Sequence, residues 1–352
     1  MRVPFVDLAR QCAALRGELD AAFARVLTSG RVLFGPELAA FERELAAFLG
    51  ARHVVGVANG TDAIEIALRA SGLRPGARVE TSALTAVPTI NAIEAAGGVP
   101  MLRDVDPISR NVDAWRPGDR GCEASVAVHL YGLPCRLPTW QGAIEDVAHA
   151  LGASLRGLRL GRLARAAAVS FYPTKNLGAL GDGGAVVTDD DGIAARARQI
   201  RHYGALEDGD VAFRGQNSRL GELQAAFLRC KLPYLDRWND RRRAIATRYR
   251  SELGGRVTLP VEPDGCRAVY HVFVIEHAER DRLARDLAAA GVATMVHYPK
   301  AIHEHTAYRA LGEPGQFPVA ERLARTALSL PCFPELSEAE QDHVIRAVAD
   351  AT

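Results

Sequence analysis

Apolar residues near the start of the chain recur at helical spacing: Leu8, Leu15, Leu19, Phe23 and Val26 share the 3.6-residue period of an amphipathic helix. A second helix is predicted from Pro36, a favoured first-turn residue, with Leu38, Phe41, Leu45 and Phe48 inward. From His53 the pattern changes. Short β-rich runs occur at 53–58, 78–82, 99–105, 124–130, 166–171 and 184–188, and helical stretches such as 63–70 separate several of them. This alternation predicts an α/β fold with a mixed, mainly parallel sheet covered on both faces. Helical patterning returns after Asn217 and runs through Gln224 to Leu253. Residues 270–275 and 294–297 then read as strands flanking a helix over 280–290, a small second α/β domain. The change of pattern near Gly254-Gly255 divides the chain into 1–253 and 254–352.

With 352 residues the chain can bury a large core and a smaller one. A formal net charge of +1 gives no reason to expect nucleic acid as a partner. Arg241-Arg242-Arg243, Arg248 and Arg250 fall on a predicted helix and read as its solvated face. The six cysteines have no metal-ligand spacing, and no metal is expected. No signal peptide or membrane-length apolar run is visible, so a reduced, cytoplasmic enzyme is expected.

Candidate chemistry centres on Ser170-Phe171-Tyr172-Pro173-Thr174-Lys175-Asn176, which runs on into Gly181-Asp182-Gly183-Gly184. It places a lysine in a turn just past a short apolar run. A desolvated lysine amine can attack a carbonyl and hold a Schiff base, and pyridoxal phosphate is the commonest partner of that kind. Asp146, at the end of another β-rich run, suits a pyridine nitrogen; a helix cap is the other reading of the same residue. Asn59-Gly60-Thr61-Asp62 opens a predicted helix, where backbone amides and a hydroxyl can cradle phosphate or simply cap the helix.

In order and spacing, Asn59-Gly60-Thr61, His129-Leu130-Tyr131-Gly132, Glu145-Asp146, the Ser170 to Asn176 block and Asn217-Ser218-Arg219-Leu220-Gly221-Glu222 resemble the DegT/DnrJ/EryC1/StrS aminotransferases. The resemblance extends from Val3-Pro4-Phe5 to Leu328-Ser329-Leu330-Pro331. It implies the fold of aspartate aminotransferase, fold type I of the pyridoxal-phosphate enzymes, with a cofactor-binding large domain, an N-terminal arm and a homodimer. It also implies pyridoxal 5'-phosphate as cofactor, alternating with pyridoxamine 5'-phosphate during turnover. Lys175 would hold the cofactor as a Schiff base and Asp146 would pair with its ring nitrogen. Gly60, Thr61 and Ser170 would hold its phosphate, together with Asn217 from the partner subunit. Taken alone, Asn217 reads as the N-cap of the helical run that follows.

Two positions depart from the family pattern. Ala86 stands where relatives place an aromatic ring on the cofactor, and His149 stands where most carry a glutamine against its ring hydroxyl. The connection from Asp113 to Cys122 is also short for the family. Residues 176–184 look more like members that aminate the 3-keto position. The implied reaction therefore transfers an amino group from L-glutamate to a nucleotide-linked keto sugar, a dTDP-3-keto-6-deoxyhexose. Tyr172, Arg219, His297, Tyr298 and His303 are the expected substrate contacts. Related dehydratases replace the lysine by histidine, which Lys175 argues against. An aminocyclitol or aromatic-amine precursor as substrate, and a catalytically silent cofactor-binding relative, are the alternatives.

Overall fold

A computed structural model describes residues 1–113, 115, 121–137 and 142–352. Most of the short connection between Asp113 and Cys122 lies outside the described residues. In chain order the first elements are α1 (Leu8–Ala14), α2 (Arg16–Ser29), α3 (Pro36–Leu49), β1 (His53–Val57), α4 (Gly60–Ala70), β2 (Arg78–Ser82), α5 (Val87–Ala95) and β3 (Val99–Arg103). There follow β4 (Cys122–Val128), β5 (Ala143–Asp146), the short β6 (Ser154–Leu155) and β7 (Leu158–Arg159), β8 (Ala166–Ser170), β9 (Gly184–Thr188) and α6 (Asp191–Ile200). The chain continues as α7 (Glu222–Lys231), α8 (Leu235–Glu252), β10 (Cys266–Arg267), β11 (Phe273–Glu276), α9 (Arg280–Ala289), α10 (Pro318–Thr326), β12 (Ala327–Leu330) and α11 (Glu338–Ala351).

Seven strands form the central sheet in the order β1-β9-β8-β5-β4-β2-β3. Strands β3, β2, β4, β5 and β8 are parallel to one another, whereas β9 runs antiparallel to both β8 and β1. Strand β1 therefore points the same way as β8 and β5, so the ends of all three open on one edge of the sheet. Side chains alternate across it. Val55, Ala166, Ala168 and Val186 join one buried cluster, while Val54, Ala167, Val169 and Val187 join the other.

The helix predicted from Leu8 is broken at Leu15 into α1 and α2, and Phe23 is 44% exposed. Helix α3 starts at Pro36 as predicted. Its first amides are satisfied from a distance: the buried Glu222 carboxylate accepts N–H bonds from Gly35, Glu37 and Leu38 at 2.8–2.9 Å. In the C-terminal part, β11 pairs with β12 rather than with 294–297. Only Met295 there forms an isolated bridge, to Ser329, so 294–297 is not a strand. A third cluster joins Phe273, Ile275, Leu283, Leu328 and Val344 to Ile245, Ala246 and Tyr249 in the second half of α8 and to Leu253 just after it. The arginines of α8 are not one solvated face. Arg243 pairs with Glu262 and Arg248 with Asp342, while Arg242 is only 4% exposed.

Candidate active site

At the shared edge of β1, β5 and β8 the residues singled out in sequence come together around a cavity of about 230 Å³. Gly60, Thr61, Ala86, Asp146, His149, Ser170, Tyr172 and Lys175 all line it. Clefts at the carboxyl ends of strands are where open α/β sheets take their ligands.

Helix α4 brings its N-terminus to one end of the cavity. Asn59 caps it, accepting the Asp62 N–H at 2.8 Å, so the free amides of the first turn face Ser170 at the end of β8. The approach is close: a Cβ placed on Gly60 would lie 2.6 Å from Ser170 Cβ and 3.0 Å from its Oγ. Helix amides and a hydroxyl held this closely form a cradle that fits a phosphate group.

Asp146 is buried at the end of β5. Turns rather than a helix follow it, so it is not a helix cap. Its Oδ1 accepts the Ala148 N–H at 3.1 Å and its Oδ2 accepts the Thr89 hydroxyl at 3.2 Å. Burial raises its pKa above the ordinary carboxylate value, against the opposing pull of the Ala148 N–H and of Lys175. Its neighbour Glu145 does different work, accepting the amides of Gly161, Leu163 and Ala164 and so fixing the loop that precedes β8.

The loop after β8 is tightly tied. Gly178 lies against Pro173, where a Cβ would fall 2.1 Å from the Pro173 carbonyl oxygen, and buried Lys231 donates to the Gly178 carbonyl at 2.8 Å. Asn176 donates to Asn239 Oδ1 at 2.7 Å and to the Val269 carbonyl at 3.2 Å. Between these anchors, burial lowers the Lys175 pKa to about 8, with nearby Asp146 pulling the other way. A larger fraction of neutral amine at neutral pH is what a nucleophilic lysine needs.

His149 sits in the turn after β5. The Tyr131 N–H donates to its Nδ1 at 3.3 Å, so the proton of the neutral ring sits on Nε2, 3.5 Å from the Tyr298 hydroxyl. Burial holds its pKa well below the usual histidine value, with Lys175 and His297 adding to the effect. It can therefore donate to an anionic oxygen, as the ring hydroxyl of pyridoxal phosphate requires. Besides the imidazole of His149, the one aromatic ring among the described lining residues is Tyr172, which is largely exposed.

A second cavity, about 270 Å³, lies beyond Lys175 and is bordered by Tyr172, His297 and Tyr298. His303 is not brought to either cavity. It is buried, with Nε2 bonded to Glu321 at 3.1 Å and its ring edge-on to Phe317. Asn217 and Arg219 lie outside both linings of their own chain. Asn217 is exposed, bridges His202 and accepts from Arg219 Nε at 2.7 Å; the cap of the following helix is Gly221. Thr89, Arg242 and His271 reach these cavities without any sequence signal that marks them.

The model of the DegT/DnrJ/EryC1/StrS aminotransferase family matches residues 14–349. The chain is 44% identical to the erythromycin biosynthesis sensory transduction protein EryC1 of Saccharopolyspora erythraea, over 98% of each chain. It is 42% identical to the dTDP-3-amino-3,4,6-trideoxy-alpha-D-glucose transaminase of Streptomyces venezuelae, over 99% of this chain and 96% of that one. Among solved structures, S. venezuelae DesV in complex with a ketimine intermediate superimposes with a TM-score of 0.93 at 41% identity, covering 99% of this chain and 98% of that one. The chain thus belongs to the DegT/DnrJ/EryC1/StrS aminotransferase family and is a pyridoxal-phosphate-dependent aminotransferase of fold type I.

Proposed function

We propose that this enzyme transfers an amino group from L-glutamate to a nucleotide-linked keto sugar, a dTDP-3-keto-6-deoxyhexose, in amino-sugar biosynthesis. The observation that carries this reading is the joint lining of one cavity by Lys175, Asp146, His149, Gly60, Thr61 and Ser170. The sugar named for the S. venezuelae relative supports the substrate class, and neither an aminocyclitol precursor nor a silent role is favoured by any relative described above. Pyridoxal phosphate, when bound, supplies a carbonyl and an electron-withdrawing ring. Lys175 would attach it, and the Lys175 amine would carry a proton at the substrate carbon. Asp146 holds a proton on the ring nitrogen, and His149 Nε2 donates to the ring hydroxyl. The amides of Gly60 and Thr61 and the hydroxyl of Ser170 hold the phosphate. Ala86 would offer only a methyl group to the ring, and Tyr172, His297 and Tyr298 would border the space for substrate.

Asn217 completes the phosphate site of a second copy in this reading, with Arg219 beside it reaching the same substrate. Exposed Leu27, Val32, Leu33 and Phe34 supply apolar surface for such a homodimer. The division at 253/254 sets a small domain against the large one, with the last turns of α8 packed on the small side. Six unpaired cysteines suit the cytoplasm, and among the described residues no helix is long and apolar enough to cross a membrane.

Borohydride reduction of the purified protein, followed by peptide mapping, tests the assignment. A cofactor-mass adduct should map to Lys175, and a screen of amino donors against 3-keto and 4-keto nucleotide sugars should select L-glutamate and a 3-keto sugar. An adduct on another lysine, or turnover confined to 4-keto sugars, would overturn the corresponding part.

A further inference from the structure

His271 lies just before β11 and borders the second cavity, with its ring 4.5 Å from that of His149. The reaction described above leaves it idle, yet the fold fixes its tautomer. Two backbone carbonyls do this. A carbonyl oxygen can only accept, so the Leu151 carbonyl, 3.1 Å from Asn239 Nδ2, turns the Asn239 amide until its Oδ1 faces Asn176. That oxygen, at 2.7 Å, and the Val269 carbonyl, at 3.2 Å, both take N–H bonds from Asn176 Nδ2. Asn176 Oδ1 is left facing His271 Nδ1 at 3.1 Å, so Nδ1 carries the proton.

The neutral ring therefore keeps a bare lone pair on Nε2. This nitrogen makes no hydrogen bond among the described residues and is not sealed from solvent, so it opens on the cavity. Burial first, and then His149 and Lys175, hold the His271 pKa well below the usual histidine value, and the ring stays an acceptor. His149 beside it has the opposite tautomer and presents a donor.

Once substrate excludes water from the cavity, this lone pair needs a donor. Phosphate, carboxylate and the ring oxygen of the cofactor are acceptors and cannot supply one. A hydroxyl can. A keto hexose carries hydroxyl groups on the carbons beside the reacting one, where they share the cavity that Lys175 lines, and glutamate carries none. Resting on the keto-sugar reading above, we infer that His271 Nε2 accepts a hydrogen bond from a sugar hydroxyl on a carbon next to the keto carbon, and so selects substrates hydroxylated there. A site built around a hydroxyl discriminates against the analogue that lacks it, because its own polar group is left unpaired.

His271→Asn separates this from a structural role, since the shorter amide can still donate to Asn176 Oδ1 but has no acceptor where Nε2 stood. In single-turnover kinetics of the pyridoxamine form, the variant should raise the KM for dTDP-3-keto-6-deoxyglucose at least about fivefold, the loss of one hydrogen bond. The KM for L-glutamate in the other half-reaction should hold. Of the 2-deoxy and 4-deoxy forms of that sugar, one should show the same KM with wild type and variant, because it lacks the hydroxyl that His271 reads. Equal losses in both half-reactions would reduce His271 to a support of the Asn176 loop, and a loss confined to glutamate would mark an ammonium acceptor; either overturns the proposal. So does an equal loss for the parent sugar and both deoxy forms. Wild-type crystals provide a second measurement that needs no variant. Soaked with dTDP-3-amino-3,6-dideoxyglucose, they should place a sugar hydroxyl within hydrogen-bond distance of His271 Nε2, and a sugar turned away from that nitrogen sinks the idea. If no keto sugar discharges the wild-type pyridoxamine form, the keto-sugar reading fails and takes this inference with it; discharge with an unchanged KM in the variant defeats this inference alone.

Discussion

Gly60 and Ser170 approach each other so closely that a methyl group on the glycine would sit 2.6 Å from the serine Cβ. The start of α4 and the end of β8 are thereby locked at one spacing. Gly60→Ala should force them apart at a cost of about 1 to 3 kcal/mol in overpacking. Cofactor dissociation and thermal melts of the apoprotein read the two effects separately. A melt that drops while cofactor affinity holds would mean that the phosphate does not sit in this cradle.

Asp146 and Thr89 form the next test. Asp146→Asn preserves shape but not charge, so the glutamate half-reaction should slow far more than cofactor affinity falls. Thr89→Val removes one hydrogen bond to that carboxylate, worth about 1.5 to 3 kcal/mol, while the Ala148 N–H still holds the other oxygen. Its rate loss should be the smaller of the two. An Asp146→Asn enzyme of unchanged rate would reduce the residue to a turn cap.

Ala86 lines the cavity with only a methyl group, and Ala86→Phe should add stacking worth roughly 1 kcal/mol to cofactor binding. Turnover of the keto sugar tells what the space is for. Retained turnover means an uncovered ring face, and lost turnover with tighter cofactor means that the substrate occupies it. Unaltered cofactor affinity would contradict the placement of position 86 against the ring.

For Lys175 the folded pKa, about 8, lies below the ordinary lysine value of 10.5. Between these values the unfolded chain binds more protons than the folded one, so stability of the apoprotein rises with pH across that window. Below pH 8 the full cost of the buried ammonium is present. Lys175→Met should therefore stabilise the apoprotein at pH 7 by about 1 to 3 kcal/mol, an advantage that shrinks as pH climbs toward 10.5. Denaturant unfolding at pH 7 and pH 10 measures it, and a pH-independent difference would point to packing instead of charge.

The central strands were legible because short β-rich runs such as 53–58 and 166–171 stand out between helical stretches, and the family blocks mark their ends. Residues 294–297 misled, since the true partner of β11 is the four-residue Ala-Leu-Ser-Leu of β12, which follows α10 without a break and carries no turn signal. The setting of His303 was not legible either: His297 and Tyr298, a few residues before it, border the second cavity, but only packing shows its own ring bonded to Glu321. Arg242 was hidden within Arg241-Arg242-Arg243. Three adjacent arginines look solvated in a sequence, yet a helix turns by 100° per residue and sends one of them inward. Thr89 was equally silent, because its service to Asp146 spans 57 positions of chain.

Strand β1 meets the rest of the central sheet only through β9, whose partners on either side carry the glycine cradle and the lysine loop. A growing chain that has reached Ser170 but not Thr188 therefore has both halves of the site, held only by α4 packing on β8 and not yet by the strand that pairs with both β1 and β8. The sheet beneath the cofactor site is completed when β9 slides between its neighbours. During synthesis the site closes like a zipper whose last tooth is added late, and a chain stalled before residue 184 should emerge colourless.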